Sequence, residues 1–404
     1  MYVKRSIEKT VEYMSERFPA ILVTGPRQVG KTTMLRKISE HKRTYVSLDN
    51  PLVRDLAVND PGLFFERYEP PVIIDEIQYA PNLMEYVKLY VDEHGRMGDI
   101  WMTGSQMFHL MKNVSESLAG RVGILKMQGF SANELDGYEG SPFLVDTGSL
   151  IKKLKQRKPK TLKEIFSRIF MGQMPGLYDR EIEPEIFYSS YVSTYIQRDI
   201  RELTQVADEM LFLKFLTAAA ARTSQMLNLS DMAKDIGIST PTAKQWLSIL
   251  ITTGIVVLVE PFYNNRLKRM IKAPNIYFID TGLCSYLTRW NNPESLEVGN
   301  MSGAIFETYV VSEIIKSYQN NGINAPINYY RDKDKKEIDI IIEQNQKLYP
   351  IEIKKSASPK KDAVKHFYVL EKSGFDVEKG AVICMVKDLI PLDEKNWLVP
   401  VWLI

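Results

Sequence analysis

The chain has 404 residues, 45% hydrophobic and 25% charged, with 52 Lys or Arg against 50 Asp or Glu. That length suits about two to four domains, and a net charge of +2 supplies no global field that would force a nucleic-acid reading. Two cysteines far apart and four scattered histidines argue against a zinc site and for buried, reduced thiols at Cys284 and Cys384. No apolar run reaches the ~18 residues of a membrane span. The opening segment, MYVKRSIEKTVEYMSERF, is charged and amphipathic rather than a secretory signal. The expectation is a cytoplasmic protein without a membrane partner.

AILVTGPRQVGKTTMLRKI reads as a buried strand, a glycine loop and a helix start. Gly25 to Thr32 spells GxxxxGKT. Gly25 and Gly30 let the backbone wrap phosphates with its N–H groups inward, and the following helix adds its positive end. Pro26, Arg27, Gln28 and Val29 complete the loop and Thr33 follows it, so 25–33 is the expected ATP-binding stretch. Lys31 can reach the β- and γ-phosphates, and the Thr32 hydroxyl can ligate Mg²⁺. In PPVIIDEIQYAP an apolar strand ends at Asp75 and Glu76. Asp75 would hold Mg²⁺ through water, and Glu76 would orient or activate the attacking water. DIWMTGS ends on Thr103 and Ser105, a position that can sense a γ-phosphate. Arg121, in SLAGRVGILKM, could contact nucleotide in its own or a neighbouring subunit, or be a solvated arginine. Five strands are expected at 21–24, 43–48, 71–75, 99–103 and 122–127, with one extra strand separating the P-loop strand from the Asp-Glu strand.

Further along, IKKLKQRKPK holds six Lys or Arg in ten residues. It reads as a solvated helix or linker, or as a phosphate contact. Residues 161–203 are helical in period, with Tyr191, Tyr195, Arg198 and Glu202 at helical spacings. Residues 208–262 suggest a helix-turn-helix with a wing. Ser230 would cap a short helix to Ile236, Gly237 and Ser239 would turn, and Pro241 to Gly254 would bound a second helix. Thr240, Thr242, Lys244 and Gln245 would lie where groove contacts arise. The outer face is not very basic, so DNA contact and protein interaction are both open.

In GAIFETYVVSEIIKSY, Glu307 falls among Val310, Val311 and Ile314 on an apolar helical face, so its carboxylate needs a partner. That partner could be a metal, a lysine or a hydrogen bond. Glu337 and Asp339 share one face of a strand, as do Glu352 and Lys354 on the next. The two strands can pair through EQNQK, as a wet hairpin or as a site where Asp339 and Glu352 hold Mg²⁺. Lys354 would then position water or offset charge at phosphorus. Residues 347–372 carry seven lysines, His366 and three acids, a phosphate-facing rim or a solvated helix.

These stretches together, with GQMPGLY, YVSTYIQRDI, KAPNIYFIDTGL and YYRDKDKKEIDIIIE, resemble a widespread prokaryotic family of predicted AAA+ ATPases that end in a conserved domain of unknown function. The family's C-terminal domain looks like the PD-(D/E)XK restriction-endonuclease fold. By motif, Asp339 takes the first acid position, Glu352-Ile353-Lys354 the ExK positions and Glu307 the helix acid. Ile338 stands where such motifs carry proline. The resemblance implies an α/β chain with an AAA+ type parallel sheet at 1–135, a helical lid or connector at 136–205, a winged helix at 206–265 and a nuclease-like domain at 266–404. The expected activity is Mg²⁺-dependent ATP hydrolysis coupled to nucleic acid, DNA ahead of RNA. Two nuclease-like outcomes stay open, phosphodiester cleavage at Glu307, Asp339, Glu352 and Lys354, or a silent domain in a regulatory ATP switch that binds a protein partner. A homo-oligomer is compatible with either.

Overall fold

The computed structural model describes residues 2–105, 118–196, 209–262, 273–371 and 374–404. Arg198 and Glu202 lie outside the described residues.

The N-terminal sheet is all parallel. Its strands are β1 (Ala20–Thr24), β2 (Thr44–Ser47), β3 (Val72–Asp75), β4 (Ile100–Gly104) and β5 (Val122–Lys126), in the order β2-β3-β4-β1-β5. β4 therefore stands between the P-loop strand and the Asp-Glu strand. Period-two alternation decides which core each strand residue enters. Ile21 and Val23 of β1 pack with Ile7, Val11, Met34 and Leu35 on one face. Ala20 and Leu22 pack with Leu83, Met84 and Val87 on the other. A strand covered on both faces has no wet side, which is why AILVT is apolar throughout. Each fully buried Ile or Leu there contributes about 1.5–3 kcal/mol.

Four helices follow, Thr147–Gln156, Leu162–Met171, Pro175–Arg180 and Pro184–Tyr191. The second opens with a capping box between Thr161 and Glu164. The basic run between 151 and 160 is not simply solvated. Arg157 is buried and donates to the Trp402 and Ile404 carbonyls, Lys153 to the Leu403 carbonyl, and Lys160 pairs with Asp136. Those cations hold the fold together, which overturns a phosphate role for them.

Helices Leu229–Ile236 and Thr240–Thr252 are joined by a turn at Gly237, whose φ of 81° is the left-handed conformation glycine tolerates. The first is capped by Asn228, which accepts from the Asp231 N–H, and not by Ser230. Ser239 caps the second. A three-stranded antiparallel sheet lies beside them, ordered β6 (Gln225–Met226), β8 (Asn275–Phe278), β7 (Val256–Val259). The expected division at 265/266 is corrected here. It cuts this sheet, because β8 pairs with both β6 and β7.

The C-terminal sheet contains β9 (Ile327–Arg331), β10 (Glu337–Gln344), β11 (Lys347–Ile353), β12 (Asp376–Val377), β13 (Gly380–Cys384), β14 (Ile390–Pro391) and β15 (Asn396–Pro400). Its path is β14-β15-β13-β11-β10-β9, with β12 on β11. β10 and β11 form the antiparallel hairpin, and β11, β13 and β15 run parallel. Ile338 and Ile340 to Ile342 are fully buried, as a central strand requires. Helix Ser302–Gln319 spans about 27 Å at 1.5 Å per residue and packs in the large core shared with the ATP-site sheet. Cys284 and Cys384 are buried and free. No helix among the described residues is long and apolar enough to cross a membrane.

Candidate functional site

β1 delivers the glycine loop at the carboxyl end of the parallel sheet. Gly25 has φ 145°, and a Cβ there would lie 2.0 Å from the Met127 carbonyl oxygen, so no side chain fits. Lys31 is buried and folds onto its own loop, donating to the carbonyls of Gly25 (2.9 Å) and Pro26 (2.8 Å). Those oxygens occupy an ammonium that phosphate oxygens could take over. Thr32 donates to Asp75 Oδ1 at 2.6 Å, which puts the hydroxyl and carboxylate side by side as a shared divalent ion would need. Tyr45 donates to Asp75 Oδ2 at 3.0 Å, and Thr103 donates to Oδ1.

Glu76 sits in the left-handed region at φ 57°, and its N–H donates to Thr103 at 3.1 Å. Its carboxylate accepts from Gln78 and, at 3.2 Å, from Ser105. Ser105 thus touches the acid expected to orient water. Thr103 holds both acids, a structural role beyond the expected strand-end sensor. Gln78 was not singled out from sequence, although its place two residues after Glu76 was the available signal.

A pocket of about 540 Å³ opens on the loop. It is lined by Lys31, Thr32, Thr33 and Glu76, and from helix Pro175–Arg180 by Tyr178 and Arg180. Arg180 is exposed on this pocket, and no sequence motif marked it. Arg121 is corrected. It precedes Val122, whose register partner is Ala20, whereas the loop follows Thr24, opposite Lys126. That is about 16 Å away, at the opposite, amino-terminal end of the parallel strands. There Arg121 pairs with Asp92 through two N–H···O contacts of 2.5 and 3.1 Å. It does not reach nucleotide in its own subunit.

Arg5 was also missed. It is 3% exposed and donates to the carbonyls of Val29 (2.7 Å), Gln128 (2.7 Å) and Gly129 (3.2 Å) and to Glu134 (3.1 Å). Glu134 closes a capping box with Ser131 on helix Ala132–Leu135. The Ala132 N–H donates to Glu313 at 2.7 Å. Glu313 also accepts from Gln173 (3.0 Å) and Lys316 (2.9 Å) in a buried pair. Helix Ser302–Gln319 therefore meets the loops of the ATP site through fully hydrogen-bonded charges.

Glu307 lies on the same helix, less than two turns nearer its N-terminus than Glu313. It accepts from the Tyr277 hydroxyl of β8 at 2.7 Å. The β10–β11 register runs to Ile340 opposite Ile351, so the next residues outward are Asp339 and Glu352. Asp339 accepts the Ile353 N–H at 2.8 Å, and Lys354 donates to Glu352 at 2.6 Å. Asp339, Glu352 and Lys354 line one open pocket of about 540 Å³, with Lys355, Lys360 and Lys365 on its rim. Lys347 instead pairs with Glu378. Burial pushes the Glu307 and Glu352 carboxyls up, and the nearby Asp339 adds to both shifts. Burial also raises Asp339, opposed by the Lys354 ammonium. Among the described residues no group of three or more His, Cys, Asp or Glu is arranged to hold a metal ion. Tyr277 supplies the hydrogen-bond partner that the position of Glu307 demanded.

Residues 17–136 match an AAA domain, residues 162–294 a domain of unknown function (DUF8612), and residues 302–404 another domain of unknown function (DUF4143). Similar curated proteins are the uncharacterized proteins Rv2008c of Mycobacterium tuberculosis and Mb2031c of Mycobacterium bovis. Each is 26% identical over 347 residues, covering 85% of this chain and 72% of the relative. Among solved structures, a Walker-type ATPase of Pyrococcus abyssi has a TM-score of 0.45 at 14% identity, covering 70% of this chain and 95% of that one. The RuvB Holliday junction branch migration motor of Thermotoga maritima has a TM-score of 0.31 at 15% identity, with coverages of 62% and 88%. The AAA match coincides with the parallel sheet and the glycine loop; the chain carries an AAA domain and is an ATP-binding P-loop ATP hydrolase.

Proposed function

We propose that ATP binding and hydrolysis in the N-terminal unit control nucleic-acid handling by the C-terminal pocket. The observation that carries this reading is the convergence of Asp339, Glu352 and Lys354 in one lysine-rimmed pocket. Two carboxylates with raised proton affinity are a poor structural choice unless a cation or proton compensates them. At the ATP site Thr32 and Asp75 would hold Mg²⁺, Lys31 would bind the β- and γ-phosphates and Glu76 would orient water. Arg180 is the cation positioned to meet developing phosphate charge within the same subunit. A bound divalent ion supplies neutralisation of phosphate charge. At the C-terminal pocket Asp339 and Glu352 would hold such an ion, Lys354 would stabilise charge at phosphorus and the rim lysines would seat the backbone of DNA.

The segment from Leu229 to Phe278 fits a winged helix. Thr240, Lys244 and Gln245 are exposed at the start of its second helix, and Thr242 is half-buried. That face would add groove contacts. The domain scheme that fits best is an ATPase unit through residue 135, a helical connector, a winged unit that includes β8, and a nuclease-like unit from helix Ser302–Gln319 onward.

A second reading has its own support. Asp339 and Lys354 already have internal partners, and no three-ligand metal group is present among the described residues. On that reading the pocket binds without cutting. The deciding experiment incubates plasmid and branched DNA with Mg²⁺ or Mn²⁺ and compares wild type with Asp339→Ala. Cleavage lost in the variant supports the nuclease reading. Equal background in both leaves only the binding role.

A further inference from the structure

We infer that Arg5 is a positioning residue for ATP binding, setting the direction of a phosphate-facing N–H through the Val29 carbonyl. Residue spacing does not suggest this, since Arg5 precedes the loop by twenty residues of helix and strand. The argument rests on peptide geometry. A trans peptide is planar, with its C=O and N–H pointing in opposite directions. Arg5 Nη1 holds the Val29 carbonyl at 2.7 Å. The N–H of the same peptide belongs to Gly30, so it points away from the guanidinium and can face phosphate oxygens. Gly30 itself has φ 92°, a conformation in which the backbone alone gives little directional preference for a flanking peptide. An external clamp on the carbonyl removes that freedom before nucleotide arrives.

The clamp is itself rigid. Arg5 Nη2 donates to the Gln128 and Gly129 carbonyls, Nε donates to Glu134, and the guanidinium lies 4.8 Å from the Phe130 ring centre. Glu134 also accepts the Ser6 N–H at 2.7 Å, so the counter-ion is tied to the residue after the arginine as well. Glu8 accepts the Arg5 N–H at 2.6 Å. A lysine has one compact ammonium and cannot reproduce a planar fork aimed at three separate carbonyls and a carboxylate. The role therefore needs arginine rather than positive charge alone.

The test measures steady-state ATP turnover and fluorescent-nucleotide affinity of the full chain for wild type, Arg5→Lys, Arg5→Ala and Glu134→Gln. Circular dichroism and thermal midpoints report folding. With Arg5→Lys, KM and Kd for ATP should rise about tenfold while kcat changes less than about threefold, the signature of lost uniform binding. Glu134→Gln keeps the carbonyl contacts, and its KM should rise by only about two- to threefold. Should Arg5→Ala fail to fold, Arg5→Lys carries the result. A lowered thermal midpoint and active fraction with unchanged KM and Kd in Arg5→Lys would overturn the proposal, because that is what a purely structural arginine predicts.

Discussion

The ATP site and the C-terminal pocket differ in how their charges are compensated. At the ATP site each acid is already provided for. Asp75 accepts from Thr32, Thr103 and Tyr45, and Glu76 from Gln78 and Ser105. For Asp339 and Glu352 of the C-terminal pocket, and for Glu307 on the helix nearby, burial outweighs compensation and all three carboxyls rise. Hydrogen-bond donors stabilise an ionised carboxylate in place, whereas burial beside like charge asks for a proton or a cation. On the reading proposed above, the second site is completed by a cation or a proton, whereas the acids of the first are already hydrogen-bonded.

The sharpest way to break this contrast begins at Lys31. Lys31→Ala should lower ATP turnover about 100-fold or more, since it removes the one ammonium facing the phosphates. A malachite-green assay checks this, and turnover within a few-fold of wild type would dissolve the account of the N-terminal site. Next comes the joint between the regions. Glu313→Ala leaves Lys316 buried and uncompensated and should cost about 3–5 kcal/mol in chemical denaturation. A cost near zero would show that the helix is not anchored as described.

The third prediction separates the two regions by pH. The folded pKa of Asp339 is raised to about 6 and those of Glu307 and Glu352 to about 8. Folded protein then binds more protons than unfolded protein across that window. The associated stability is therefore full below the ordinary carboxylate pKa and is lost as pH rises through the folded values. The C-terminal unfolding transition should weaken progressively between pH 5 and about 9. Glu352→Gln should flatten the slope, and Mn²⁺ should recover stability most at the alkaline end. A slope of the opposite sign would contradict the carboxyl arrangement. The smallest effect contrasts two arginines. Arg180→Ala should lower kcat about tenfold and Arg121→Ala less than about twofold, measured on dilute protein. The reverse ranking would return Arg121 to the site through a neighbouring subunit.

How much could be read in advance follows from the same physics. The P-loop was legible because its chemistry is local, and glycine, lysine and threonine must occur at fixed spacing in one loop. The β10–β11 hairpin was legible as a hairpin, since EQNQK separates two alternating runs and Ile341-Ile342 marks a two-sided core. What escaped depends on distant partners. Arg121 carries no sign of how far it lies from the glycine loop until strand register is known. Glu307 announced only that it needed a partner, and Tyr277 comes from another sheet. Arg5 and Glu313 act on backbone groups more than a hundred residues away, which no spacing rule can reveal. The cut at 265/266 failed because β8 looked like the start of a new unit and instead closes the preceding one.

The central claim is that the two sites are energetically linked through helix Ser302–Gln319. Linkage is reciprocal, so nucleotide must change DNA affinity if DNA changes nucleotide affinity. The direct measurement is fluorescence-anisotropy titration of labelled DNA in Mg²⁺, with and without a non-hydrolysable ATP analogue, on wild type and Glu313→Gln. The account predicts an affinity change of about fivefold or more in wild type that shrinks in the variant. DNA binding that is absent, or superimposable isotherms with and without nucleotide, would contradict it.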